Sequence, residues 1–358
     1  MRGPARALPG TFAVLALLVV CACGAWPGGD AANLRLMVPN TPGGGYDTTA
    51  RTAARVLEKT QIASGVQVFN PPGAGGTVGL QRIVDEKGNG ELALQMGLGV
   101  VGASHAAGSK VAVTDTTPIA RPIEEAGAVV VREDSPYRTI GALVDAWRED
   151  PGRLRMGGGS SVGGPDHLLP MELAQAVGID PRKVAYVPYD GGGDLLPALL
   201  DGRVDVATSG FGEFLDQIRG GGLRVLAVTG ERPVGVLPGV PALRSSGIDL
   251  VLDDWRGVVA PPGISDTERR RWVDALTELH GSRRWRAELR RHGWTDVFAT
   301  GRAFETFLAR RTHRSPASSA VWSRSDVRRG SRRGRCPATP GRCRRVWRAG
   351  ARTCPAWR

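Results

Sequence analysis

At 358 residues the chain suits one large or two ordinary domains, and 41% hydrophobic content is ample for a buried core. The net charge of +12 would ordinarily suggest nucleic acid or an acidic surface, but Arg314–Arg358 alone holds thirteen arginines against one acid, Asp326. The body is therefore neutral and carries no nucleic-acid signal. Cys21 and Cys23 precede the body and Cys336, Cys343 and Cys354 follow it, which excludes a disulfide scaffold or a cysteine metal site within it.

In chain order, Arg2 and Arg6 form a positive start and Phe12–Val20 a short apolar run, too short to span a bilayer. Val20-Cys21-Ala22-Cys23 places a small residue before Cys23, as in a bacterial lipoprotein signal. Residues 1–23 are thus expected to be a signal ending at a lipidated Cys23, and 24–32 a tether. Ordinary secretory cleavage near Ala25 is the alternative, and both readings export the body.

The body begins with an apolar strand, Leu34–Val38, and the loop Thr41-Pro42-Gly43-Gly44-Gly45-Tyr46-Asp47. Ala50, Ala53, Ala54 and Leu57 then recur at helical spacing. A bare glycine loop opening a helix presents main-chain N–H groups at the positive end of a helix dipole, a setting for a carboxylate or phosphate. A second copy follows strand Val66–Phe69: Asn70-Pro71-Pro72-Gly73-Ala74-Gly75-Gly76-Thr77, before the apolar periodicity of Val78–Val84. Neither loop is a dinucleotide fingerprint, because Val78 stands where the third glycine is needed, and neither has the Gly-Lys-Ser/Thr ending of a P-loop. Asp47 is placed to cap its helix. Strand Leu92–Met96, a third glycine-rich loop at Gly97–Gly102, and strands Thr117–Arg121 and Ala126–Arg132 come next.

The turn Asp134–Tyr137 marks an expected crossing into a second lobe, followed by helix Ile140–Trp147 and strand Leu154–Met156. Gly157–His167 then opens helix Leu168–Val177. Strand Val184–Val187 leads through Tyr189-Asp190-Gly191 to helix Asp194–Leu200. Strand Val204–Thr208, loop Ser209–Gly212, helix Glu213–Arg219 and strand Val225–Val228 complete this lobe. The return crossing is expected near Thr229-Gly230. Strand Trp255–Ala260 and helices Asp266–Leu279 and Trp285–Arg291 then rejoin the first lobe, and periodicity stops beyond His313. Alternating strands and helices predict an α/β fold around largely parallel sheets. The expected division is lobe one at 33–136 and 230–313, lobe two at 137–229, and a basic tail at 314–358.

Gly159-Ser160-Ser161-Val162-Gly163 satisfies the nucleophile-elbow pattern between a strand and a helix, so an exported serine hydrolase using Ser161 is a rival reading. His280 and His292 lie on Arg-rich helices, and His167 is too close in sequence for the usual order. Ser160 and Ser161 read better as ligand hydroxyls. Tyr189 and Ser209 are further donors, Asp190 an acceptor for a ligand hydroxyl, and Arg256 the nearest positive charge. No His/Asp/Glu cluster has metal-ligand spacing, so neither metal nor cofactor is expected.

Val38–Asp47, Pro72–Gly76, Gly164-Pro165-Asp166-His167, Tyr189–Gly192 and Leu226-Ala227-Val228-Thr229-Gly230 occur in that order. Together they resemble the extracytoplasmic substrate-binding receptors of tripartite tricarboxylate transporters, the Bug-type family, over about Leu34 to Leu308. The first two loops are most similar to the tricarboxylate-binding branch. The resemblance implies a bilobal, periplasmic-binding-protein-like fold of type II with a two-crossing hinge. It implies no enzyme, but capture of a citrate-like di- or tricarboxylate by cleft closure and delivery to membrane permease subunits. A ligand-sensing partner of a membrane kinase would need the same closed form. The residues placed at the ligand are Thr41, Gly43, Gly44, Gly45, Tyr46, Asp47, Pro72, Gly73, Ala74, Gly75, Gly76, Thr77, Gly99, Ser160, Ser161, Gly163, Gly164, Asp166, His167, Tyr189, Asp190, Gly191 and Ser209. The tail departs from the family pattern, as a disordered or frame-altered end would. The implied location is the periplasm or, through Cys23, the outer face of the cytoplasmic membrane.

Overall fold

A computed structural model describes residues 33–319. The expected signal, its lipidated Cys23, the tether and the tail from residue 320 lie outside the described residues.

The chain starts as three strand-to-helix units. Strand β1 (Arg35–Met37) leads through the first glycine loop into α1 (Gly45–Lys59). Strand β2 (Gln67–Phe69) leads through the second into α2 (Thr77–Asp85). Strand β3 (Leu92–Gly97) runs directly into α3 (Leu98–Ala107). Strand β1 lies parallel between β2 and β3, so all three helix N-termini open on one sheet edge. The third glycine stretch is therefore helical rather than a loop. Its glycines serve close approach: a Cβ on Gly102 would overlap the Gly163 carbonyl, and one on Gly99 would stand 2.8 Å from the Tyr46 hydroxyl.

The spine is β4 (Thr117–Arg132), one 16-residue strand where the sequence predicts two. Pro122 lacks an N–H and argues for a break. The strand absorbs it as a register shift between Ala120 and Ile123 against β9 (Asp253–Ala260). Up to Ala126, β4 pairs antiparallel with β9 and with β10 (Thr295–Thr300), a strand the sequence reading missed. From Gly127 it pairs instead with β7 (Val206–Gly210) and β8 (Leu223–Val228). Strand β7 continues in parallel to β5 (Arg155–Gly158), and β5 to β6 (Ala185–Pro188).

The fold is thus bilobal α/β, with two sheets sharing one strand. The change of partners at Ala126–Gly127 precedes the expected crossing at Asp134–Tyr137. The return also differs. Leu237, Ala242, Leu243, Ile248 and Leu250 pack into the second lobe's cores, and the chain re-enters the first sheet only at Asp253. Both crossings are tied together by Thr229, whose hydroxyl accepts from the Gly127 N–H at 2.8 Å and donates to the Leu252 carbonyl.

Helices α4 (Ile140–Glu149), α5 (Pro165–Ala176), α6 (Gly192–Leu200) and α7 (Leu215–Arg219) cover the second sheet. Helices α8 (Asp266–Gly281), α9 (Arg283–His292) and α10 (Gly301–Ser319) complete the first lobe, α10 running past His313. Caps set their starts: Ser265 and Glu268 form a capping box on α8, and Ser282 accepts from Trp285 N–H on α9. Trp255, Trp272, Trp285 and Phe304 are fully buried in the first lobe, and Trp147, Phe211 and Phe214 in the second. Each large side chain contributes about 1.5–3 kcal/mol of burial, so each lobe has its own core.

Candidate ligand-binding site

The N-terminal ends of α1, α3 and α5 and the loop before α6 converge on a cavity between the lobes with about 40 Å³ of water-accessible space. Pro39, Asn40, Gly45, Tyr46, Gly75, Gly99, Asp254 and Arg256 line it from the first lobe. Gly159, Ser160, Ser161, Pro165, Asp166, Asp190 and Glu213 line it from the second. The lobes touch around it. The Thr41 hydroxyl donates to the Asp190 carbonyl, and the Gly102 backbone lies against that of Gly163. This is a closed cleft.

Several helix-end amides already have partners from the protein. Asp47 accepts from the Gly43 N–H at 3.0 Å, and also from Arg51 and Asn70, each at 2.9 Å. It buckles the first loop and does not line the cavity. The Tyr46 hydroxyl accepts from the Gly99 N–H at 3.0 Å, and the Ser160 hydroxyl from the Asp166 N–H at 3.1 Å. Glu213 accepts from the Gly192 N–H at 2.6 Å, placing its carboxylate at the start of α6. In the second loop Gly75 alone lines the cavity; its φ of +66° and close approach to Ser161 both favour glycine.

Electrostatically the cavity is acidic around one cation. Arg256 is 1% exposed; it donates to the Gly45 carbonyl at 2.8 Å and the Thr49 hydroxyl at 2.7 Å, and pairs with buried Glu125. Its Nε lies 3.7 Å from Asp254 and has no hydrogen-bond partner. Burial pushes Asp254 and Glu213 up to about 7, Arg256 opposing the shift in both. Burial and the neighbouring Glu213 push Asp166 well above the ordinary carboxylate range. Arg256 thus faces Glu125, Asp254, Asp166 and Glu213 together. A pair of buried unlike charges is tolerable, whereas a surplus of buried carboxylates carries a desolvation cost that only a proton or a positive group removes.

Of the sequence-predicted residues, Gly45, Tyr46, Gly75, Gly99, Ser160, Ser161, Asp166 and Asp190 line the cavity. Thr41 and Gly191 lie at the lobe contact beside it, and Gly44 and Gly164 precede α1 and α5 as their caps. Pro72, Gly73, Ala74, Gly76 and Thr77 form the outer part of the second loop, away from the lining. His167 is packed: its Nδ1 accepts from the Gly163 N–H at 3.2 Å, Tyr186 meets it edge-on, and burial lowers its pKa to about 4. Ser209 is fully buried and donates to Asp166 at 3.4 Å, and the Tyr189 N–H donates to the Gly158 carbonyl. Ser161 faces Gly75 rather than a histidine. His280, one of the two downstream histidines, pairs with Asp296 at 2.9 Å. Pro39, Asn40, Gly159, Pro165, Glu213 and Asp254 are lining residues the sequence reading did not place. Arg256 was foreseen only as a nearby charge.

A family model described as "Tripartite tricarboxylate transporter family receptor" matches residues 49–317. The chain belongs to this receptor family. A "UPF0065 protein in gbd 5'region" of Cupriavidus necator is 28% identical over 281 residues, covering 77% of this chain and 83% of that protein. MatC of Rhodopseudomonas palustris, solved with bound malate, is 21% identical with a TM-score of 0.70, covering 81% of this chain and 99% of that one. A second R. palustris protein, solved with adipate, is also 21% identical, with a TM-score of 0.73 over 82% and 98% of the two chains. These two likenesses establish the fold, and the family match makes the chain a periplasmic solute-binding receptor. No helix among the described residues of this receptor is long and apolar enough to cross a membrane.

Proposed function

We propose that this receptor closes its lobes on a small carboxylate and delivers it to the permease subunits of a tripartite tricarboxylate transporter. The observation that carries the reading is the cavity between the touching lobes where helix N-termini from both meet beside Arg256. Positive helix ends, hydroxyls and one guanidinium replace a carboxylate's water shell, and exclusion of solvent strengthens each charge-assisted bond.

Within that class, a citrate-like trianion is the least suited member. The cavity has about 40 Å³ and three acids in its lining besides Asp190. The solved relatives hold malate and adipate, each with two carboxyl groups. Thermal-shift and calorimetric titration of the full chain with succinate, malate, adipate and citrate tests the proposal. One of them should bind saturably, and a hundredfold excess over its dissociation constant should add about 2.7 kcal/mol of apparent stability. No shift with any carboxylate, including amino-substituted ones, overturns it. Export with a lipid on Cys23 belongs to the same proposal, and palmitate labelling that Cys23→Ser abolishes is the expected result.

A further inference from the structure

The cavity holds a charge arrangement that a plain carboxylate ligand does not explain. The groups facing Arg256 come from every element around it. They are Tyr46 from α1, Glu125 from β4, Asp166 from α5, Glu213 from the turn ahead of α7, and Asp254 from its own strand β9, and Asp190 ahead of α6 adds a further acid to the lining. Arg256 is the only basic side chain in the lining. A second observation concerns the buried polar atoms left without partners at the cavity: Arg256 Nε, Asp254 Oδ1 and Asn40 Oδ1. Two of the three are acceptors, and what they lack is a donor. Arg256 is 1% exposed, so its Nε has access to little besides what the cavity holds.

We propose that the ligand is an aminocarboxylate, a small zwitterion whose ammonium sits among Asp254, Glu213 and Asp166 while its carboxylate meets the facing wall at Gly75 and Ser161. This rests on the receptor reading and narrows it. An ammonium supplies three donors and the missing positive charge, whereas a second carboxylate would add charge of the sign already in surplus. A dicarboxylate could enter only by bringing protons to the acids. The raised affinity of Asp254 and Glu213 for protons marks the same deficit of positive charge, which a proton fills when no ammonium is present.

The test compares matched ligands that differ at one end: 4-aminobutanoate with succinate, 5-aminopentanoate with glutarate, and 6-aminohexanoate with adipate. Calorimetry of the full chain at pH 7.5, in two buffers of different ionisation enthalpy, reads affinity and proton exchange together. The amino member of at least one pair should bind tenfold or more tightly than its partner and release protons. Asp254→Asn with Glu213→Gln should weaken the amino member tenfold or more and tighten the partner; a misfolded variant cannot produce that gain. If the dicarboxylate of every pair binds as well as its amino counterpart and takes up protons, the proposal is overturned while the receptor function stands. If neither member of any pair binds, and citrate does not bind either, both readings fall.

Discussion

The two walls of the cavity are built on different principles. One consists of glycine turns and helix starts, in which Gly75 approaches Ser161, and Gly99 approaches Tyr46, because a side chain is missing. The other is a knot of long charged side chains around Arg256, placed where the chain crosses between lobes. The first wall is local: each turn is made by residues close in sequence and works through backbone geometry. The second is non-local. Glu125, Glu213, Asp254 and Arg256 meet only because β4 and β9 pair across the crossing and the 3₁₀ turn at Phe211–Phe214 folds over them. The turns of the first wall form within each lobe and meet on closure, whereas the charged wall needs residues from both lobes to exist at all.

The harshest way to break this contrast is Arg256→Met, which strands Glu125 and Asp254 as buried acids without their counter-ion. Urea denaturation should show a loss of about 3–5 kcal/mol, and adding Glu125→Gln should recover part of it. A loss within experimental error would mean that the charged wall is not structural.

Gly102→Ala acts on the other wall. The added methyl would overlap the Gly163 carbonyl and hold the lobes apart. Ligand affinity should drop at least tenfold, about 1.4 kcal/mol, with little change in the ligand-free thermal midpoint. Unaltered affinity would show that the contact is dispensable for closure.

Titration sharpens the comparison further. Glu213 and Asp254, raised by burial to about 7, keep protons in the folded form that the unfolded chain has released. Their stabilising contribution is complete below about pH 4 and is lost as pH rises through about 7, a change of about 3 kcal/mol for Glu213 and about 4 kcal/mol for Asp254. His167, lowered from 6.5 to about 4, acts in the opposite sense, favouring the fold above 6.5 and losing that contribution on acidification. Wild type and Glu213→Gln share His167, so the difference between their melting curves from pH 5 to 8 isolates the carboxylate. A pH-independent difference would contradict its burial as an acid. The smallest effect is expected for Tyr46→Phe, which removes the acceptor for the Gly99 N–H and should cost about 1 kcal/mol in denaturant melts.

The glycine wall was legible because its signals are short: Gly43–Gly45 before a 3.6-residue periodicity, Gly73–Gly76 before another, Gly163-Gly164 before a third. Errors arose where a local rule met a tertiary demand. Pro122 reads as a strand end, yet pairing with β9 on one side and β10 on the other carries β4 through it. Gly97–Gly102 reads as a loop, yet its glycines bring α3 against Tyr46 and Gly163. The segment 230–252 has no strong periodicity, and its allegiance to the second lobe rests on scattered apolar contacts such as Leu243 and Ile248. For Glu213 and Asp254 the available signal was position: each adjoins a strand end next to a crossing.

From residue types and spacing alone came the α/β alternation, the order of the turns, the neutral body beneath a basic tail, and the kinship those turns express. These depend on interactions a few residues apart, whose preferences any sequence displays. Which turns reach the ligand, where the lobes divide, and the acidic character of the pocket were decided by tertiary structure. Burial and charge coupling are properties of space, and residues more than a hundred positions apart, as Glu125 and Arg256 are, acquire them only once the chain has folded.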